Sequence, residues 1–182
     1  VIKVDVDGEY KAMDIEEYII GVLPGQISPK SNMEAVKAQA VIVRTSILRQ
    51  MGENKTFDSE NLQEEYIEDK EQRNIWGELH YDKYKKIMEK AVLDTKGQVL
   101  RYNGEYIDPL YHRVSSGTTA TAKELFENGA EYLVGVESKE DVNSKDYLTM
   151  YTFPLAKINE EFGCAITPEN MTDSFTILES TP

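Results

Sequence analysis

The stretch from Leu23 to Met51, LPGQISPKSNMEAVKAQAVIVRTSILRQM, sets a Pro/Gly-rich loop directly ahead of a long helix, and it limits the fold more than any other segment. Ser31 and Glu34 are spaced as S-x-x-E, which predicts a capping-box start. Met33, Val36, Ala40, Val41, Ile47, Leu48 and Met51 recur at helical spacing and form one apolar stripe. A central helix over 32–51 follows, stopped by Gly52. Lys37 and Arg44 fall inside that stripe, seven positions apart and so at nearly the same angle round the axis. A charge buried without a partner is costly. Either their stems cover the core while their heads reach water, or both cations meet an anion, a carbonyl or a ligand.

Charge narrows the partners. Lys and Arg total 20 against 33 Asp and Glu, a net −13 over 182 residues, which argues against nucleic acid or an anionic lipid surface. A neutral glycan is not excluded. The length fits one domain, or one with a small subdomain. The single cysteine, Cys164, excludes a disulfide within this sequence, and no C-x-x-C or H-E-x-x-H spacing marks a metal site. No apolar run reaches the roughly 18 residues that suggest a membrane span. Residues 53–71 carry eight carboxylates against Lys55 and Lys70 and predict a solvated face, with Ile75–Trp76–Gly77 as its anchor. The range 53–76 is expected to be an acidic insert or small subdomain.

Around the central helix the chain alternates helices and hairpins. Ile2–Val6 and Glu9–Met13 flank Asp7–Gly8 as a hairpin. Asp14 caps a helix that should end at the Pro24–Gly25 loop. Tyr81–Thr95 predicts a second helix, and residues 98–107 a hairpin about Asn103–Gly104. Tyr132–Val136, Tyr147–Phe153 and Ser174–Glu179 predict strands, and Pro154 opens a short helix to Phe162. Asp141–Asp146 lacks the central glycine of a calcium loop and predicts a turn. Without the strand–helix–strand rhythm of a parallel sheet, the fold class is α+β, a single domain spanning 1–182.

Pro109–Thr121, PLYHRVSSGTTAT, gathers an imidazole, two hydroxyls and a glycine turn between His112 and Gly117. Such a set can cluster about a ligand, or it can be a polar turn with a satisfied histidine.

Three stretches together resemble the SpoIID/LytB domain family. Its members carry V-x-x-G-E-[MI]-x-P ahead of E-A-[LV]-K-A-Q-A-[VI]-x-x-R-[ST]; here the loop is Val22–Pro29 and the helix motif Glu34–Thr45. The run A-V-x-x-T-x-G-x-V-L-x-Y-x-G is matched by Ala91, Val92, Thr95, Gly97, Val99, Leu100, Tyr102 and Gly104. His112, Ser116 and Gly117 match the family's Y-H-S-T-S-G-G, from which Arg113, Val114 and Thr118 depart. The resemblance implies lytic transglycosylase activity on peptidoglycan glycan strands that lack stem peptides. In that reaction one glutamic acid protonates the glycosidic oxygen and then takes the proton of the muramyl 6-hydroxyl, closing a 1,6-anhydro ring.

The resemblance also implies the site. The catalytic set falls on Gln26, Lys37, Arg44 and His112, and the substrate-binding set on Tyr111, Ser116 and Gly117. The family's proposed catalytic glutamate thus coincides with Gln26, a carboxamide that can hold a sugar hydroxyl but cannot lend a proton. Glycan binding without cleavage, or activation of a cell-wall amidase, is the alternative that this glutamine raises. A third reading leaves Lys37 and Arg44 only satisfying buried polar groups. Some members pair the histidine with cysteines around zinc. No cysteine lies near His112 and His80 matches no ligand position, so no metal or other cofactor is expected. Peptidoglycan strands and a cell-wall amidase are the implied partners, and the cell envelope outside the cytoplasm is the implied location. Because Val1 opens directly on a strand and Pro182 precedes the family's S-Q-[YW]-G-A segment, the sequence is expected to be a fragment of a longer protein.

Overall fold

The computed structural model describes residues 1–6, 9–126 and 130–176. Ile2–Val6 (β1) pairs antiparallel with Glu9–Met13 (β2), Ile2 opposite Met13 and Val6 opposite Glu9. Alternation turns Ile2, Val4 and Met13 inward. The expected Asp7–Gly8 turn lies outside the described residues.

Asp14 caps Ile15–Gln26 (α1), its Oδ1 accepting from the Glu16 N–H at 2.9 Å. The expected loop at Pro24–Gly25 is not formed; both residues lie in the last turn of this helix. Pro24 cannot donate to the carbonyl one turn back. The turn survives because the Ile27 N–H closes on the Leu23 carbonyl at 3.0 Å and because Val22 and Leu23 are fully buried.

The central helix is Met33–Met51 (α2). Its cap is Asn32, whose Oδ1 accepts from the Glu34 N–H at 2.9 Å, and not Ser31, so the predicted capping box is absent. The buried stripe is also rotated from expectation: Val36, Gln39, Ala40, Val43, Arg44, Thr45, Ile47 and Met51 are inside, whereas Val41 and Leu48 are half-exposed.

Asp69–Trp76 (α3) and Glu78–Asp94 (α4) meet at Gly77, whose φ of 76° suits only glycine without strain. Helices α1, α2 and α4 pack on one another. Tyr18, Ile19 and Val22, then Val36 and Ile47, then Met88, Ala91 and Val92 form the apolar centre between them. Arg101–Tyr102 (β4) and Glu105–Tyr106 (β5) form the expected hairpin. Asn103 at φ 51° and Gly104 at φ 87° supply the two left-handed residues of its turn.

The acidic stretch departs most from expectation. Phe57–Asp58 (β3) joins β1 in parallel register, and the chain then straps itself across α1 and α2. The Tyr18 hydroxyl donates to the Glu64 carbonyl at 2.6 Å, and the 8%-exposed Glu64 carboxylate accepts from Gln50 Nε2 at 2.7 Å. Tyr66 stacks on Tyr18 at 5.6 Å, and the Ile67 N–H donates to the Gly21 carbonyl at 2.9 Å. Its acidic side chains alternate with these anchors, so the strap is half scaffold and half solvated face.

The contacts divide the chain into residues 1–110 and 111–182. In the second unit, Thr121 and Glu124 make a capping box for Ala122–Leu125 (α5), and Leu155–Phe162 (α6) ends on left-handed Gly163. The strand expected at 132–136 is reduced to one bridge, Thr118 to Glu137. Residues 147–153 carry no strand pairing among the described residues, and Leu148, Met150, Tyr151 and Phe153 are exposed. The Ser174–Glu179 segment opens on a 3-10 turn over Met171–Ser174, and its end lies outside the described residues. The class is α+β, as the sequence predicts.

Candidate functional site

Arg44 is 1% exposed, and every N–H of its guanidinium is taken. Its Nε donates to both Glu16 carboxylate oxygens at 3.0 and 3.2 Å, and Nη2 donates to Glu16 Oε2 and to the Val92 carbonyl at 3.2 Å. Nη1 faces the Ala40 carbonyl and Thr95 Oγ1, each at 3.5 Å, and the Gln98 carbonyl at 3.2 Å. Thr95 is fixed in turn by donating to the Ala91 carbonyl at 2.8 Å. Thr45, beside Arg44, accepts from the Leu100 N–H at 3.0 Å. The motifs K-A-Q-A-x-x-x-R and A-V-x-x-T-x-G are therefore two halves of one buried polar joint. No donor remains for a sugar, so Arg44, expected in the catalytic set, serves here to hold the scaffold.

Lys37 reaches the same end of α4 by a different partner. Its Nζ lies 3.0 Å from Glu34 and 3.2 Å from Asp94, which also takes Lys90 at 2.9 Å. Hydrogen bonds from Lys90 and Lys37 hold the Asp94 carboxyl below its ordinary range, and those to Glu34 and Asp94 hold the Lys37 ammonium above its own. Both cations sit where the α4 dipole is negative. The Lys37 side chain is 24% exposed and can turn to a ligand by exchanging a carboxylate. Glu34 is an exposed ion-pair partner and does not close a capping box.

Gln26 is the last residue of α1 and is half-buried. No hydrogen bond joins its carboxamide to Lys37, to Arg44 or to any other described residue. A helix C-terminus carries partial negative charge and disfavours a carboxylate. A glutamic acid here would be biased towards its protonated form, as a proton donor needs; glutamine meets the same field without a charge.

Tyr111, His112, Ser116 and Gly117 belong to the second unit, and Gln26, Lys37 and Arg44 to the first. Within the second unit the polar centre is Ser115, one of the two hydroxyls between His112 and Gly117 but not in the expected substrate-binding set. Its N–H and its hydroxyl both donate to Asp141 Oδ2 at 2.7 Å, and its Oγ accepts from the Gly117 N–H at 3.2 Å. Hydrogen bonds from Ser115 hold the Asp141 carboxyl low, with a smaller contribution from the His112 charge. Gly117 adopts φ 109°, and its carbonyl accepts from the Ser138 N–H at 2.8 Å. Tyr111, His112 and Ser116 are exposed. The S-x-G spacing of Ser115 and Gly117, which suits a serine turn, was the signal available for this pair.

Zinc chemistry does not fit the donor set. Among the described residues no three His, Cys, Asp or Glu side chains approach closely enough to hold a metal ion. The Cys164 thiol instead donates to Asn159 Oδ1 at 3.3 Å. No helix among the described residues is long and apolar enough to cross a membrane.

A family model described as SpoIID, stage II sporulation protein, matches residues 7–102. Stage II sporulation protein D of Bacillus subtilis (strain 168) is 32% identical over 157 residues, covering 82% of this chain and 46% of that protein. The protein of the same name from Bacillus amyloliquefaciens is 28% identical over 170 residues, covering 89% of this chain and 49% of its own length. An amidase enhancer of Bacillus subtilis (strain 168) is 28% identical over 121 residues, 66% of this chain and 15% of that protein. The chain spans about half the length of the two sporulation proteins it matches.

Proposed function

The chain belongs to the stage II sporulation protein family described as SpoIID, and from that membership we propose that it binds peptidoglycan glycan strands in sporulation or cell-wall remodelling without cleaving them through residue 26. The observation that carries this reading is the carboxamide of Gln26 at the end of α1, where the family's proton donor is expected. General acid–base catalysis contributes about 10²–10⁴ in rate, and an amide that does not titrate in water forgoes it. Glutamine keeps a donor and an acceptor for a sugar hydroxyl. Glu34, the carboxylate nearest along the chain, is exposed and paired with Lys37. The site of action on this reading is the cell envelope outside the cytoplasm. Activation of a cell-wall amidase is a second reading, favoured by the match to an amidase enhancer.

The test incubates this chain and its Gln26→Glu variant with peptide-free peptidoglycan strands. Retention on the strands is scored by co-sedimentation, and mass spectrometry scores 1,6-anhydromuramyl ends. Retention of both proteins, with anhydro ends from the variant alone, is the expected result. Anhydro ends from the unaltered chain would overturn the non-cleaving role, and absence of retention would overturn strand binding.

A further inference from the structure

Strands β1, β2 and β3 form one sheet in the order β2-β1-β3, and a cavity of about 460 Å³ opens on it. The register sets its floor, because Ala12, Lys3 and Asp58 stand abreast across the three strands. Ile2, Val4 and Met13 turn to the core, so alternation turns Lys3, Ala12 and Tyr10 to the outer face. The Tyr10 hydroxyl donates to Glu60 Oε1 at 3.1 Å, in the 3-10 turn Ser59–Asn61 that follows β3. This bond reaches from β2 to the far side of the sheet, yet Tyr10 stays 64% exposed. An aromatic ring is thus anchored by its polar tip while most of its surface is left open. Ala12, two positions along the same strand, is small enough to keep the space beside it clear.

The lining says what kind of ligand fits. Lys3 and Lys11 stand against Asp58 and Glu60, so the cavity carries no net charge on a chain whose total is −13. Lys3 and Asp58 approach only to 3.9 Å, with half of each side chain exposed, and a pair so open can turn to a ligand. Asn61 adds an exposed amide that makes no hydrogen bond among the described residues, with two donors and an acceptor to offer. An apolar ligand would strand these polar groups. A metal ion needs several ligating side chains to converge, and among the described residues none do. A pyranose meets both halves of the site: its C–H face packs on an aromatic ring, and each hydroxyl gives and takes a hydrogen bond. The volume lies within the ~300–1,000 Å³ of ligand pockets and has room for about two sugar rings.

We propose that this face of the sheet is a second saccharide subsite for a neutral glycan, with the Tyr10 ring as its stacking platform and Asp58, Glu60 and Asn61 meeting the hydroxyls. The inference rests on the glycan-strand reading and adds to it a second place of contact. Helix α1 begins just after β2 and ends at Gln26, twelve residues or about 18 Å further along its axis, so the subsite lies at the opposite end of α1 from residue 26. A chain that holds strands at two separated points can retain them without a proton donor at either.

The probe is chitotetraose, an uncharged β-1,4-linked N-acetylglucosamine tetramer, titrated into the full chain near neutral pH. NMR follows the Tyr10 ring, the Ala12 amide and the Asn61 side-chain amide at the sheet, and the Gln26 side-chain amide at the end of α1. The expected result is a saturable shift of the three sheet signals, little changed by salt because the ligand is neutral. Tyr10→Ala and Asn61→Ala should each weaken that binding about tenfold or more, with circular dichroism and melting unchanged. Tyr10→Phe, which keeps the ring and loses the bond to Glu60, should keep most of it. Shifts at Gln26 with none at the sheet would overturn the subsite and leave the glycan-strand reading standing. Shifts nowhere would overturn both. Sheet shifts that saturate equally in the wild-type chain, Tyr10→Ala and Asn61→Ala would overturn the assigned residues and the proposal with them.

Discussion

Arg44 Nε sits 3.0 and 3.2 Å from the two carboxylate oxygens of Glu16, and this pair locks the first turn of α1 to the middle of α2. With Val92, Thr95 and Gln98 on its far side, the same guanidinium also fixes the end of α4 and the turn that follows. One side chain thus joins three helices. Removing one partner of a buried pair leaves the other uncompensated, so Arg44→Met is expected to cost about 3–5 kcal/mol. Adding Glu16→Leu should recover part of the loss, because the stranded carboxylate goes with it. Arg44→Lys should also destabilise, since an ammonium cannot serve five directions. Urea midpoints of the three variants check this, and a near-neutral Arg44→Met would show that the joint carries no load.

Gly21 and Gly25 predict opposite outcomes on one helix. A Cβ at Gly21 would lie 2.1 Å from Tyr66 Cε2, inside a ring already stacked on Tyr18. Gly21→Ala should therefore lift the 64–67 strap and cost about 1–3 kcal/mol, the usual penalty of overpacking. At exposed Gly25 the new methyl meets only the flexible end of Ile67, at 3.0 Å. There the helix preference for alanine, up to about 1 kcal/mol, offsets the contact, and Gly25→Ala should be near neutral. Thermal unfolding of both variants decides it; equal losses would mean that the strap does not rest on Gly21.

Asp94 ties Lys37 to Lys90, and those two hydrogen bonds hold its carboxyl below the ordinary range. A carboxyl whose folded pKa is depressed contributes stability that is fully present above its unfolded pKa and lost as pH falls through the folded value. The cluster is thus intact at neutrality and dissolves only below about pH 4. Lys37→Met removes one of the two donors, so the Asp94 midpoint should rise part of the way to that of a free aspartate. Carboxyl NMR titration of both proteins measures the shift, and an unmoved midpoint would refute the contact.

How much of this was legible depends on what each residue answers to. Helix α2, the Asn103–Gly104 hairpin and α6 follow from periodicity and turn chemistry that act within a few residues of chain. The burial of Arg44 was legible as a problem, a cation in an apolar stripe, but its solution was not, because Glu16, Val92 and Gln98 are distant in sequence. Pro24 failed as a helix stop because burial of Val22 and Leu23 outweighs one missing hydrogen bond. The acidic strap was hidden for the same reason: Glu64 and Tyr66 are held by tertiary partners among carboxylates that otherwise face water. The resemblance was read onto Ser116, whereas the hydrogen bonds converge on its neighbour Ser115, where the second serine of Y-H-S-T-S-G-G falls when the motif is counted from Tyr111.

Gln26→Glu places a carboxyl at the C-terminal end of α1, in a half-buried position. The helix dipole and partial desolvation both favour the neutral acid, so its folded pKa should lie above the ~4.3 of a free glutamate. The sign follows from linkage. A raised carboxyl pKa means that the native state binds the proton more tightly than the unfolded one, so stability falls as pH rises from the unfolded pKa through the folded value. Relative to the unaltered chain, the variant should lose more stability at pH 7.5 than at pH 4.5. Urea midpoints of the two proteins at both pH values supply the four numbers needed. If the variant also cleaves glycan strands, the alkaline limb of its rate profile should share that raised pKa, since the protonated acid is the form that gives its proton away. An equal stability difference at both pH values would show that the end of α1 does not tune residue 26, and the case for this position as a former proton donor would fall with it.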